Sequence, residues 1–438
     1  MTSWPQISKV GKFNTRRELY RAIKSHESRI DSNPSDGALR VAYASLLYIA
    51  GDFDDSEREA REALKFKEVE SDASSIIAKI LYLKGQYSEA IDFFKRVISA
   101  NPSDQQLYWE LAQCHLRMNN YAEAARIFEE HKFSNPLVPL VQKVAEKPAF
   151  QILGEKNTTV VPILQVDPLP VIEIGVNGKE VFAFIDTGGP GFSTNIEFAR
   201  KEGYQILSSQ TGDYALKKNA PVEYLQVDSI SIGEFVLQNV PGCALEGIRP
   251  QFGKYTCEDC VGTGILNQFL STIDYPNQRL ILTKRNIPEA RKEHFRLLGE
   301  MCGKVPIFMV SDHYLIAKGS LNERENLTFF VDSGLAAFGQ PDPSGPVMQA
   351  AFMMPYNAMI EFGIIEPSKE MTFPFFYKIE SLGLGSLIQH DLYGFLHSRE
   401  GERFNFDGIM IDGLVSHAFL KNYAWTLDFD NYEFIFTK

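Results

Sequence analysis

Two short runs constrain this chain more than anything else in it: Phe184-Ile-Asp-Thr-Gly-Gly and Phe330-Val-Asp-Ser-Gly-Leu. Each puts an aspartate at the end of an apolar, β-prone stretch, followed at once by a small hydroxyl residue and a glycine. From average residue usage, an Asp-[Ser/Thr]-Gly tripeptide is expected about 0.2 times in a chain of this length. One copy reads as an ordinary turn after a strand. Two copies in similar surroundings, at Asp186 and Asp332, call for two halves that fold alike and bring their carboxyls to one place.

The residue types suit an acid–base site. Two facing carboxyls cannot both ionise at close range, so they share a proton and titrate as a pair. The ionised member can take a proton from water, and the protonated one can give a proton to a carbonyl oxygen. Gly188 and Gly334 let the backbone turn tightly beside each aspartate. The hydroxyls of Thr187 and Ser333 can brace those turns through hydrogen bonds to backbone.

The flanks repeat as well. Val171 to Val176 alternates roughly, Asn177-Gly178 gives a hairpin signal, and Val181 to Ile185 reads as a buried strand delivering Asp186. Val227 to Gly233 and Phe235 to Leu237 form a second hairpin pattern, followed by Gly262-Thr-Gly-Ile-Leu266 and Ile273 to Leu282. The second half echoes this order. Tyr314 to Ala317 and Leu327 to Val331 deliver Asp332, then Asp412-Gly-Leu-Val415, Phe419-Leu420 and Leu427 to Phe436 follow. Asp186 to Gly264 and Asp332 to Gly413 span nearly the same interval, as an internal duplication requires.

With these residues in view, Leu169 to Leu282 resembles a lobe of a retropepsin-type aspartyl protease. The resemblance rests on Asn177-Gly178, Phe184-Ile-Asp-Thr-Gly188, Gly264-Ile-Leu266 and Asp274-Tyr-Pro-Asn277. Residues 300 to 438 match more loosely, through Val331-Asp-Ser-Gly334 and Asp412-Gly-Leu-Val415. Both aspartates lie in one chain, so the resemblance implies the bilobal, pepsin-like arrangement. It implies Asp186 and Asp332 as the catalytic pair, supported by the turns at Thr187, Gly188, Ser333 and Gly334. Asn267 and Ser416 stand where that family often has a further glycine, and Leu335 stands where it has a smaller residue. Tyr214 and Tyr224 lie in the interval that carries the family's flap, and neither is assigned to it.

The first third is a different object. Pro34, Pro102 and Pro136 fall on one 34-residue grid, with Glu68 in the remaining slot. Gly51, Gly85 and Asn119 share a second grid position, Ala22, Ser56, Ala90 and Ala124 a third, and Ala60, Phe94 and Phe128 a fourth. The pattern resembles tetratricopeptide (TPR) repeats over Gly37 to Glu70, Ser71 to Asp104 and Gln105 to Val138, with a partial unit over 14–34 and a closing helix from Leu137 to Glu146. Such helix pairs stack into a solenoid whose concave face is open to a protein partner. The other reading is that the repeats brace the domains that follow.

Charge divides the chain in the same place. Residues 1–150 carry as many basic as acidic side chains, so the whole net charge of −12 falls on the remainder. That argues against nucleic acid and anionic membrane surfaces as partners. No stretch is apolar enough to span a bilayer, and Met1 to Lys9 has no leader pattern. Of the five cysteines, Cys114, Cys243, Cys257, Cys260 and Cys302, Cys257 and Cys260 have metal or redox spacing. No second pair completes a zinc set, which leaves a loop thiol pair or, in an exported protein, a local disulfide. His313 and His417 lie in apolar surroundings and read as structural.

The sequence thus predicts a multidomain α + β protein. A helical repeat domain covers 1–148, and a mostly-β, bilobal aspartic-protease fold has one lobe at 149–290 and the other at 291–438. The expected activity is peptide-bond hydrolysis by a water held between Asp186 and Asp332, on a peptide lying between the lobes, without cofactor or metal. The alternative is a protease-fold scaffold that binds peptide with little or no turnover. The expected compartment is the cytoplasm, or the periplasm or exterior if a leader has been removed.

Overall fold

The computed structural model describes residues 12–214, 217–247, 249–340, 346–366, 373–396 and 404–438. The run Met1 to Lys9, read above for a leader, lies outside them.

The 34-residue grid folds into antiparallel helix pairs. After α1 (Arg16–Ser32) come α2 (Gly37–Ala50) with α3 (Phe53–Ala63), α4 (Glu70–Leu83) with α5 (Tyr87–Ala100), α6 (Gln105–Arg117) with α7 (Tyr121–Glu130), and then α8 (Leu137–Val144). A capping box starts α1, in which Thr15 Oγ1 accepts from Glu18 N and the Glu18 carboxylate accepts from Thr15 N. Within each pair the chain reverses at a residue of positive φ: Gly51 at 77°, Gly85 at 74° and Asn119 at 57°. Asparagine tolerates that conformation better than most side chains, which is why it fits the glycine slot. The small and aromatic grid positions Ala60, Ala90, Phe94, Ala124 and Phe128 are all buried where the helices touch. Ser56 occupies an alanine slot with its hydroxyl satisfied by Ala44 O at 2.7 Å.

The remainder is mostly β. A first unit contains β1 (Val171–Val176), β2 (Lys179–Asp186), β3 (Phe192–Asn195), β4 (Gln205–Tyr214), β5 (Lys217–Ile232), β6 (Phe235–Leu245) and β7 (Asp259–Gly262). Its hydrogen-bonded order β2–β7–β3–β6–β5–β1 closes back on β2, making a small barrel. A second unit contains β8 (Tyr314–Leu321), β9 (Arg324–Val331), β10 (Phe352–Met353), β11 (Phe375–Leu384), β12 (Leu387–Leu396) and β13 (Gly413–Val415). Its order β9–β13–β10–β12–β11–β8 also closes, on β9.

The two rings match pair by pair. The strand carrying each aspartate runs parallel to β7 or β13, which run antiparallel to β3 or β10, which run parallel to β6 or β12. Between the rings runs one antiparallel sheet. Phe269–Asp274 pairs with Ala424–Asp428 in the register Ser271↔Leu427 and Asp274↔Ala424, with Arg279–Lys284 outside on one side and Glu433–Thr437 on the other. Each half contributes the same kind of ion pair to it: Arg279 to Asp274 at 2.7 Å, and Arg291 to Asp428 at 2.5 Å.

The helices do not stand apart from this β region. Their buried core runs without a break into Val310, Ile316, Phe330, Met353 and Leu414 of the second unit. Whereas the sequence leaves the solenoid's concave face open, the first helices of the pairs already hold the chain's own segments. Tyr82 Oη donates to Ser311 O at 2.7 Å, Arg117 Nη1 to Asp312 O at 3.0 Å and Tyr48 Oη to Asp407 O at 3.4 Å. Lys79 is buried between Asp407 and Glu110. The physical reason is the apolar surface of the second ring, which finds its cover on the repeats. Among the described residues no helix is long and apolar enough to cross a membrane.

Candidate active site

Asp186 is the last residue of β2, and Asp332 follows β9 directly. Both strands are apolar because each is paired on both sides within its ring and covered: Ala183, Ile185, Phe329 and Val331 are completely buried. After each aspartate the chain turns back on its own carboxylate. Gly188 N donates to Asp186 Oδ1 at 2.7 Å, and Gly334 N donates to Asp332 Oδ1 at 2.8 Å.

The hydroxyl residues lock the two turns together. Thr187 N donates to Ser333 Oγ at 2.9 Å, and Ser333 N donates to Thr187 Oγ1 at 3.0 Å. Thr187 Oγ1 gives its own hydrogen to Val331 O at 3.3 Å. Both side chains are fully buried, so these bonds do not compete with water. The exchange brings the carboxyls of Asp186 and Asp332 together, each against the glycine turn of the other. The two glycines are needed for that closeness. A Cβ on Gly188 would stand 2.7 Å from Asp332 Oδ1, and one on Gly334 would overlap the Asp186 carboxyl.

Supporting turns flank each side. In the first unit, Thr263 Oγ1 donates to Thr187 O at 2.8 Å and Gly264 N to Pro190 O at 2.8 Å. In the second, Asp332 N donates to Val415 O at 2.9 Å and His417 N to Leu335 O at 3.2 Å. The residues that depart from the family pattern are accommodated. Ser416 caps the short helix His417–Leu420 and donates to Ala350 O at 2.5 Å, and Asn267 O accepts from Arg285 at 2.7 Å.

Electrostatics separate the two acids. Burial raises the pKa of Asp186, while the hydrogen bond from Asp332 and the amides of its turn pull it back. Burial also raises Asp332, and the nearby Asp186 charge pushes it well above the usual carboxylate range. Both shifts are upward, so the pair keeps a shared proton that separate carboxyls would lose.

Three further side chains act on the pair or feel its charge, a role that the sequence does not mark. Burial raises the pKa of the Tyr275 hydroxyl, with the Asp332 and Asp186 charges adding to it, and its ring meets His417 edge-on at 5.1 Å. His313 hydrogen-bonds Asp312 through Nδ1, and its charged form favours ionised Asp186. The Cys260 thiol packs against Gly189, and burial together with the Asp186 charge keeps it protonated. Cys260 lies on β7 rather than in a loop, and it and Cys257 are free thiols. Of the two tyrosines in the β4–β5 hairpin, Tyr214 braces it, donating to Pro221 O and accepting from Glu246 N at 2.8 Å each. Tyr224 accepts from Gln210 at 2.6 Å, and burial with the Asp312 charge pushes its pKa up to about 12. His417 is fully buried, with Nε2 3.3 Å from Asp167. Among the described residues no group of three or more His, Cys, Asp and Glu side chains is arranged to hold a metal.

Two tetratricopeptide repeat models match the chain, over residues 41–105 and 81–147. These repeats suggest protein–protein interaction for the helical region. No curated protein matches the chain in sequence. Among solved structures, the MamA protein is 16% identical with a TM-score of 0.25, covering 26% of this chain and 62% of that one. A retropepsin-like aspartic protease from Rickettsia conorii is 20% identical with a TM-score of 0.24, covering 31% of this chain and 95% of that one. A second MamA structure, MamA AMB-1, is 13% identical with a TM-score of 0.27, covering 32% and 84%. At such TM-scores none of these likenesses supports a statement about this chain.

Proposed function

We propose that the protein is an aspartic endopeptidase in a bilobal protease fold, with one ring as each lobe and Asp186 and Asp332 as the catalytic pair. The observation that carries the reading is the reciprocal Thr187–Ser333 exchange, which holds the two carboxyls beside each other. A water bound between them loses a proton to Asp186 as its oxygen attacks the scissile carbonyl carbon. Asp332 gives its proton to the carbonyl oxygen at the same time, so the carbon becomes a neutral diol and the pair keeps one proton. Collapse breaks the C–N bond, with one diol proton returning to the pair and the proton held by Asp186 passing to the departing nitrogen. The substrate is an extended peptide between the rings, held by strand-like hydrogen bonds beneath the β4–β5 hairpin. The repeats bring a protein substrate or partner to it, through surface that the second ring leaves uncovered.

The test is hydrolysis of a mixed peptide library by the full chain, read by mass spectrometry across acid to neutral pH. Cleavage at defined bonds is expected. It should fall by about 100-fold or more in Asp186→Asn and in Asp332→Asn, with the double variant no worse than either single one. Asn keeps the shape of the side chain and removes its proton chemistry, so retained cleavage in a folded single variant excludes the pair. A parent that cleaves nothing leaves a peptide-binding scaffold.

A further inference from the structure

The strands that hold Asp332 end on a cation supplied by the helices. Arg16, in the first turn of α1, is buried at 3% exposure. Its Nε donates to Asp412 Oδ1 at 3.2 Å, Nη2 pairs with Asp412 Oδ2, and Nη1 donates to Ala50 O at 2.8 Å. Asp412 is itself fully buried and immediately precedes β13. Its Oδ2 also accepts from Thr328 N at 2.9 Å, and its own N donates to Thr328 O at 2.8 Å. A fork-to-fork Arg–carboxylate pair with its remaining valences filled is the geometry in which a buried ion pair offsets its desolvation.

Thr328 lies on β9, the strand that delivers Asp332. The other end of β13, at Val415, accepts the Asp332 amide. Arg16 thus ties together both strands that flank the second carboxylate. The last carbonyl of α2 joins the same knot: Ala50 O also accepts from Thr328 Oγ1 at 3.0 Å and from Lys318 Nζ at 2.9 Å. The helix backbone rests directly on β9, since a Cβ on Gly51 would come 2.5 Å from Thr328 Oγ1. In the first ring the carboxylate just before β7, Glu258, pairs at 2.8 Å with Arg249 and not with a residue of the helices.

We infer that Arg16 is a positioning residue for Asp332: through Asp412 it fixes β9 and β13, so the helical stack completes the site rather than only delivering substrate to it. The inference rests on the dyad reading above.

Arg16→Met alone would leave a buried carboxylate unpaired. The informative variant of the full chain is Arg16→Met/Asp412→Asn, whose amide keeps an acceptor for Thr328 N. On a peptide that the parent cleaves, kcat is expected to fall about 10- to 100-fold with KM within about 2-fold, the signature of misplaced chemistry rather than lost binding. Amide exchange read by mass spectrometry is expected to quicken over 328–333 and 413–416 and to stay parental over 184–189. A folded variant with parental kcat and parental exchange over 328–333 overturns the inference. If the double variant does not fold, Arg16→Lys, which keeps the charge without the fork, takes its place, and the same two outcomes support or overturn the inference. If the parent hydrolyses nothing, the dyad reading fails, and exchange over 328–333 still decides whether Arg16 fixes the Asp332 strand.

Discussion

Thr187 and Ser333 each donate a backbone N–H to the other's side-chain oxygen, at 2.9 and 3.0 Å, across the boundary between two rings built from different halves of the chain. Each hydroxyl is thus the only partner described for a buried amide in the opposite half. Thr187→Val keeps the shape and strands Ser333 N. The expected cost is about 1–3 kcal/mol in urea unfolding, together with a loss of turnover as the carboxyls drift apart. Thr187→Ser keeps the oxygen and should retain activity. Equal stability and turnover in the Val variant would mean that the exchange does not hold the site.

The direction of the dyad's two shifts sets a pH profile. Asp186 is raised, so the acid limb of kcat/KM should lie above the ordinary carboxylate value of about 3.9. Asp332 is raised further by the Asp186 charge, so activity should fall again only at higher pH, when the shared proton is lost. The two limbs belong to the pair. His313→Ala removes an imidazole whose charged form favours ionised Asp186 and should move the acid limb upward. An acid limb that stays in place in that variant would mean that the imidazole does not act on the pair.

What the sequence disclosed, and what it hid, follows from the range of the interactions. The aspartate turns, the Asn177-Gly178 hairpin and the 34-residue grid are local patterns, and each appears in the fold at the residues that spelled it: Asn177 at φ 50°, Asn119 at φ 57°, and Phe94 and Phe128 in the helical core. Arg16 is hidden because nothing near it in sequence marks it. It reads as one more cation on an amphipathic helix, and its partner Asp412 lies at the far end of the chain. Asp259 and Cys260 read as part of a thiol-pair loop, because a four-residue strand buried on both faces carries no periodicity to announce it. The covered face of the repeats is hidden for the same reason. The pattern of a helix pair records which face is apolar, and not whether the cover comes from a partner or from the chain itself.

Asp259 gives a stability prediction of its own. It is fully buried inside the first ring, and no cation is paired with it among the described residues. Burial, helped by Glu258 and Glu202, raises its pKa to about 7. The folded state therefore holds this proton more tightly than the unfolded chain does. Its burial carries no ionisation cost below about pH 4, costs more stability as pH rises, and carries the full cost above about pH 7. A shift of roughly 3 units sets an upper bound of about 4 kcal/mol. Asp259→Asn should melt higher than the parent at pH 8 and show a flatter stability profile between pH 4 and 7. The difference between parent and variant cancels the similar slope contributed by the dyad. A variant that melts lower at pH 8 would mean that the carboxylate is ionised and stabilised by a partner.

The last prediction concerns residues 150–438 expressed without the helices. The sequence allows two outcomes: β domains that fold and cleave alone, or β domains that need the repeats as cover. The structure favours the second. Removing the helices bares Val310, Ile316, Phe330, Met353 and Leu414, all buried in the shared core. At roughly 1.5–3 kcal/mol for each buried apolar side chain, that loss is comparable with the whole stability of a typical domain, about 5–15 kcal/mol. It also strips Asp412 of Arg16 and Asp407 of Lys79, leaving carboxylates without the cations that now face them. The isolated β region is expected to aggregate, or to lose its cooperative melt, when followed by size-exclusion chromatography and calorimetry. Supplying residues 12–148 as a separate chain during expression should restore a soluble one-to-one complex. A monodisperse fragment that melts cooperatively at the parental temperature would mean that the repeats are an attached recruitment module and not part of the core.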